Sequence, residues 1–196
     1  MSDGMRRELV YLSSHATNRY FIPNWGKRYK IIAVSSPWYP AKGELDIYKL
    51  RSILSDDEFE IIMVGLSANQ IKKLPAGIRG IQRTQNVNEL AKLYSDSDVL
   101  INPTYADTFP TVNLEALACG TPVITYLTGG SPEAVDEKTG FVVEQGDIDA
   151  LADAIRQMKE SPLSSADCRK RAEEHFDKDK CFEKYIKLYD DLMRLE

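Results

Sequence analysis

From Lys30 onward, short β-branched runs alternate with stretches of helical period, and few folds accommodate that rhythm. The runs occupy residues 31–34, 61–64, 78–81, 99–101, 122–126 and 141–143. Most are apolar throughout rather than alternating, as expected of strands covered on both faces. Helical patterns lie between and after them, at 43–54, 88–95, 111–119, 147–159, 163–175 and 178–194. In the second, Leu90, Leu93 and Tyr94 share a face; in the fourth, Ile148, Leu151, Ala152, Ile155 and Met158 do. Gly120, with Pro122 just beyond, closes the third. The β-α-β-α order predicts an α/β domain with a doubly wound, Rossmann-like parallel sheet and a helical C-terminus. Ligands of such sheets bind beyond the C-terminal strand ends, so the loops 35–43, 65–70, 82–88, 102–110 and 127–132 are the places to look. Residues 1–29 are irregular and aromatic-rich, with Pro23 and Gly26 as breakers, and read as a linker to a domain at 30–196.

Charge and composition exclude several classes. The chain of 196 residues is 43% hydrophobic and 28% charged, enough to bury a core as a single domain. No apolar run approaches the roughly 20 residues that span a bilayer. Arg6 and Arg7 are followed only by the apolar residues 9–12, too short for a signal-peptide core. Cys119, Cys168 and Cys181 are odd in number and form no CxxC pair, so they read as reduced thiols of a cytoplasmic chain. The net charge of −5 argues against nucleic acid as a partner. Residues 101–150 carry one basic and eight acidic side chains, against eight basic and four acidic in residues 1–50. A phosphate bound by the acidic segment therefore relies on something other than a local cluster of cations.

That segment carries the motifs. After a strand ending near Asn102 comes a polar loop with Asp107, then Pro110 at the first helical position, where a missing N–H is harmless. The amides of Thr111, Val112 and Asn113 are expected to face the cleft, and a helix N-terminus suits a phosphate. Glu115, eight positions after Asp107, leans back towards the same mouth. Two carboxylates beside a phosphate site are poor phosphate ligands but good acceptors for sugar hydroxyls. The plain alternative is a turn residue and a surface-helix carboxylate. Gly129 and Gly130, after the strand at 122–126, let backbone approach a ligand closely, or form an ordinary βα turn. His15 and His175 are isolated, and no metal-ligand cluster is present. The two carboxylates superficially suggest a glycosidase pair, but no sugar-groove pattern supports it.

Asp107 to Glu115, the following Ala-Leu-Ala-Cys-Gly-Thr-Pro-Val-Ile at 116–124, then Gly129-Gly130 and Glu133, together resemble the donor-binding motif of the family 4 retaining glycosyltransferases, most closely bacterial members that build polysaccharides. The resemblance covers about residues 30–195. It implies the C-terminal, donor-binding domain of a GT-B fold, which needs no metal or other cofactor. The expected reaction moves a sugar (a hexosyl group) from a nucleoside diphosphate sugar to a saccharide with retention. By resemblance, Asp107 contacts donor-sugar hydroxyls and Glu115 the ribose, the two carrying the catalytic role. Thr108, Phe109, Pro110, Thr111 and Val112, with Gly129 and Gly130, line the sugar and diphosphate. Lys42 matches the family's Lys-Gly pair in the first βα loop, and Arg83 to Val87 fall where the base is lined.

Three departures matter. The family's first glutamate is Asp107, one methylene shorter. The arginine usual before the Lys-Gly pair is absent, since Ser35 and Ser36 stand there, and Arg83 is the candidate to supply charge. Lys42 and Arg83 alternatively read as solvated surface residues. The family's acceptor-binding first domain is also absent, so the chain is expected to be a fragment or one component of a split enzyme, inactive alone. The full enzyme would be cytoplasmic, peripheral to the inner membrane. The helix at 178–194, with Phe182, Tyr185, Ile186, Leu188 and Tyr189, would then expose an apolar face, to be covered by the missing domain in cis or trans or by a second copy. A non-catalytic nucleotide-sugar-binding or interaction module is the alternative. A nucleotide-sugar epimerase has other motifs.

Overall fold

The structure, a computed structural model, describes residues 28–194. Six strands, β1 (Tyr29–Val34), β2 (Phe59–Val64), β3 (Ile78–Ile81), β4 (Val99–Asn102), β5 (Val123–Tyr126) and β6 (Gly140–Val143), form one sheet in the order β3-β2-β1-β4-β5-β6. Every pairing is parallel, as the apolar runs predict. Pairing recruits flanking residues that the apolar pattern leaves out: Tyr29 pairs with Phe59, and Gly140 with Val123. Pro122, expected in β5, precedes it. It has no N–H to donate, and its carbonyl takes the Leu100 amide at 2.9 Å.

Seven α-helices complete the described residues: α1 (Glu44–Ile53), α2 (Ala68–Ile71), α3 (Val87–Ser95), α4 (Thr111–Ala118), α5 (Ile148–Glu160), α6 (Ser165–His175) and α7 (Lys178–Met193). Helix α2, unforeseen, is a single turn held by a capping box between Ser67 and Gln70. Short 3₁₀ turns occupy Pro40–Lys42 and Ser131–Ala134. Alternate residues of each strand face opposite layers. Ile31, Ala33, Ile61 and Met63 pack with Ile47 and Leu50 of α1 and Leu151 and Ile155 of α5. Ile32, Ile62 and Leu100 pack with Tyr94 of α3, Leu114 and Leu117 of α4 and Cys168 of α6. The strand order reverses between β1 and β4, which opens a crevice above their C-terminal ends.

Helix α7 adds no buried side chain. Tyr185, Ile186, Leu188, Tyr189, Leu192 and Met193 along it are all exposed, as the sequence predicts of that face. None of the described helices is long and apolar enough to cross a membrane. The expected linker at 1–29 lies almost wholly outside the described residues.

The three cysteines are free. Burial, and then the Glu115 carboxylate, push the Cys119 thiol up to about 12. Burial, and then Asp167 and Asp136, do the same for Cys168. Cys181 is only half-buried. A disulfide reagent should therefore label Cys181 first in the native protein, with Cys119 and Cys168 reacting only on unfolding. Labelling of three equivalents without denaturant would contradict this burial.

Candidate functional site

Three loops meet above the β1–β4 crevice, and backbone contacts set their spacing. The β1–α1 loop ends at Gly43, whose φ of +76° caps α1. A side chain there would collide with the Pro103 carbonyl, so only glycine lets this loop lie on the β4–α4 loop. Across that contact the Tyr105 amide donates to the Ala41 carbonyl at 2.8 Å, and the Thr104 hydroxyl donates to the same oxygen at 3.2 Å. The third loop closes from the other side. The Gly130 amide donates to the Thr108 carbonyl at 3.0 Å. Side chains on Gly129 or Gly130 would collide with the carbonyls of Asp107 and Thr108. The close approach expected of this glycine pair is thus made to the neighbouring loop's backbone.

Lys42 and Asp107, 65 positions apart, come together as an ion pair with Nζ to Oδ2 at 2.7 Å. Their side chains are only 23% and 20% exposed. The other carboxylate oxygen of Asp107 accepts from the Phe109 amide at 3.2 Å. The Phe109 amide, expected to face a ligand, is thus engaged within its own loop. Behind it the Phe109 ring lies 6.0 Å from that of Phe176.

Pro110 is buried and is the N-cap of α4, one position earlier than predicted, with no side-chain cap of its own. Its extended ψ of 114° keeps it out of the helix. The Asn113 amide bonds to the Pro110 carbonyl at 3.2 Å. That corrects the expectation of three cleft-facing amides: Thr111 and Val112, both half-buried, keep the unpaired geometry of a first turn, and Asn113 does not. The Asn113 side chain is wholly buried, accepts from the Asn102 amide at 2.9 Å and donates to the Ser131 carbonyl at 3.4 Å. This bridge ties the end of β4, the start of α4 and the glycine turn. Sequence reasoning missed it, although an asparagine in an apolar helix turn is a usable signal.

Glu115 is 8% exposed, not a surface carboxylate. Its Oε2 accepts from the Tyr94 hydroxyl at 2.9 Å. Tyr94 is fully buried, and burial followed by the Glu115 charge holds its hydroxyl well above the ordinary tyrosine range. The tyrosine therefore remains a donor. Tyr94 was foreseen as an apolar face residue, and its hydroxyl role is visible only in three dimensions.

A second buried carboxylate, missed in the sequence, braces the site. Asp46 on α1 accepts from Tyr105 at 2.6 Å and from Tyr126 at 2.9 Å. The hydrogen bond to Asp46, and then burial, push the Tyr105 hydroxyl up to about 12. The β4–α4 loop is thereby pinned to α1. Ser131 Oγ, in the turn that Asn113 bridges, is buried and has no hydrogen-bond partner among the described residues.

Arg83 is exposed on the loop after β3, with β2 and β1 standing between β3 and β4. Among the described residues no hydrogen bond or ion pair joins it to Lys42 or Asp107. Val87 opens α3 and packs partly buried against the second core cluster. The Phe109 side chain packs against the same cluster.

The sequence pattern of the Glycosyl transferases group 1 family matches residues 18–175. A D-inositol 3-phosphate glycosyltransferase of Arthrobacter sp. (strain FB24) is 35% identical over 91 residues, which cover 46% of this chain and 22% of that protein. Among solved structures, sucrose-phosphate synthase from Thermosynechococcus elongatus superposes with a TM-score of 0.72 at 24% identity, over 86% of this chain and 46% of that one. Anabaena Alr3699/HepE in complex with UDP-glucose does so with a TM-score of 0.70 at 18% identity, over 97% and 54%. Both likenesses establish the Rossmann-like GT-B fold. The chain spans about half the length of these solved proteins and about a fifth of the curated relative is matched.

Proposed function

The chain belongs to the Glycosyl transferases group 1 family, and from that premise we propose that its β1–β4 crevice binds a nucleoside diphosphate sugar as the donor half of a retaining, family 4 glycosyltransferase. One observation carries the reading: Lys42, Asp107 and the first turn of α4 converge at the point where the strand order reverses. Lys42 and the α4 terminus supply positive potential for the diphosphate. Asp107 accepts from hydroxyls of the sugar, and Glu115, oriented by Tyr94, from those of the ribose. Transfer to a saccharide acceptor needs the second wall of a closed cleft. We place that wall in an acceptor domain, joined in cis or supplied in trans, with the apolar face of α7 as the surface it covers.

The test is thermal unfolding of the chain with UDP, GDP, ADP and their sugar conjugates. A ligand at 100 times its dissociation constant adds about 2.7 kcal/mol. The midpoint should rise by roughly 5–10 °C with one base. Lys42→Ala should weaken that ligand about tenfold, as expected when a half-buried cation facing a phosphate is removed. No shift with any of these nucleotides would defeat the reading.

A further inference from the structure

We infer that Asp107 is the residue by which this site discriminates a sugar-bearing donor from the free nucleoside diphosphate. The inference deepens the donor-site reading and rests on it. In the structure the two oxygens of Asp107 are engaged separately, Oδ2 with the Lys42 ammonium and Oδ1 with the Phe109 amide. Lys42 is the cation assigned to the diphosphate, and the Phe109 amide lies one residue before the cap of α4. The carboxylate is thus an internal anion occupying donors that an external anion would use. A diphosphate that takes Lys42 leaves the Asp107 charge nearby in a half-buried pocket, where repulsion between like charges is poorly screened.

The loop backbone has little room to retreat. Gly129 and Gly130 lie against the carbonyls of Asp107 and Thr108, and Tyr105 is held on Asp46 at 2.6 Å. Relief must come from new partners for the carboxylate. The hydroxyls of a hexose attached to the diphosphate are such partners, neutral donors to a charged acceptor. A free nucleoside diphosphate has no hydroxyl beyond its phosphates. Asp107 therefore favours the donor and disfavours the diphosphate left after transfer, which assists release of that product. The short aspartate side chain spans both partners at once, 2.7 Å from Lys42 and 3.2 Å from the Phe109 amide.

The test is calorimetric titration of the full chain and of Asp107→Asn with UDP, UDP-glucose, GDP and GDP-mannose. Asparagine keeps an acceptor for the Phe109 amide and removes the charge. The free diphosphate of the preferred base should bind about tenfold tighter in the variant, a change of about 1.4 kcal/mol. Its sugar conjugate should gain less or lose, so the donor-to-diphosphate preference falls. Asp107→Ser, which also retains an acceptor, repeats the measurement should the Asn variant unfold early. An unchanged or weakened diphosphate affinity in the variants, with wild-type binding intact, overturns the inference and leaves the donor reading standing. Failure of the wild type to bind any of these probes, or ADP and ADP-glucose, overturns the donor reading, and this inference with it.

Discussion

The Glu115→Ala chain unfolds at a lower temperature than the wild type, and no nucleotide raises its midpoint. Two separate losses combine in that result. Removing the carboxylate strands the Tyr94 hydroxyl, which is fully buried and donates to Glu115 at 2.9 Å. A buried donor left without its acceptor costs about 1–3 kcal/mol. At about 2–4 °C per kcal/mol for a domain of this size, the fall is measurable by calorimetry. The second loss is the proposed ribose acceptor, which removes the stabilisation of about 2.7 kcal/mol expected at 100 times the dissociation constant. Glu115→Gln separates the two. The amide oxygen can still accept from Tyr94, so intrinsic stability is largely retained while nucleotide binding weakens. If alanine and glutamine variants both kept the full nucleotide shift, Glu115 would have no part in binding. If alanine left the intrinsic midpoint unchanged, the Tyr94 bond would have no structural weight.

Asp46→Ala should destabilise the chain by about 1–3 kcal/mol, since it strands the buried Tyr126 hydroxyl, whereas exposed Tyr105 can turn to water. Asp46 is 3% exposed, with Tyr105 and Tyr126 both on Oδ2 and the Lys49 ammonium 3.7 Å from Oδ1. Tyr105 and Tyr126 also meet edge to face at 5.7 Å, so the carboxylate anchors a small aromatic pair that joins the β4–α4 loop to β5. The second consequence is local. Freed from Asp46, Tyr105 no longer pins the loop that carries Asp107, and protease cleavage within residues 103–109 should quicken. The pair Tyr105→Phe and Tyr126→Phe sharpens the interpretation. Removing the donors as well as the acceptor relieves part of the penalty, so the triple variant should be more stable than Asp46→Ala alone. A midpoint within 1–2 °C of wild type for Asp46→Ala would remove this carboxylate from the support of the loop, given about 2–4 °C per kcal/mol.

The fold was legible in the sequence because the central strands are buried on both faces. Runs such as 31–34 and 61–64 have no polar face to present, and that continuous apolarity is itself the mark of a covered parallel sheet. Errors fell at element ends, as at Tyr29, Phe59 and Gly140, where pairing with the next strand rather than apolarity sets the limit. Helix α2 was missed for a related reason, since four residues are too few to show a period.

The candidate site divides along the same line. Asp107, Glu115, the α4 terminus and the glycine pair were visible as chemistry within 24 consecutive residues, 107–130, because one βαβ unit carries them all. Their partners were not. Lys42 on Asp107, Tyr94 on Glu115 and Asp46 on Tyr105 join residues 65, 21 and 59 positions apart. Local periodicity says nothing about such pairs. They exist because the sheet sets β1 beside β4 and lays α1 and α3 against the loop and helix that follow β4. By itself the sequence determined which carboxylates, glycines and helix start lie together along the chain and in what order they occur. Only the tertiary structure decided which of them are already holding each other, because that depends on how loops from separate strands approach one another.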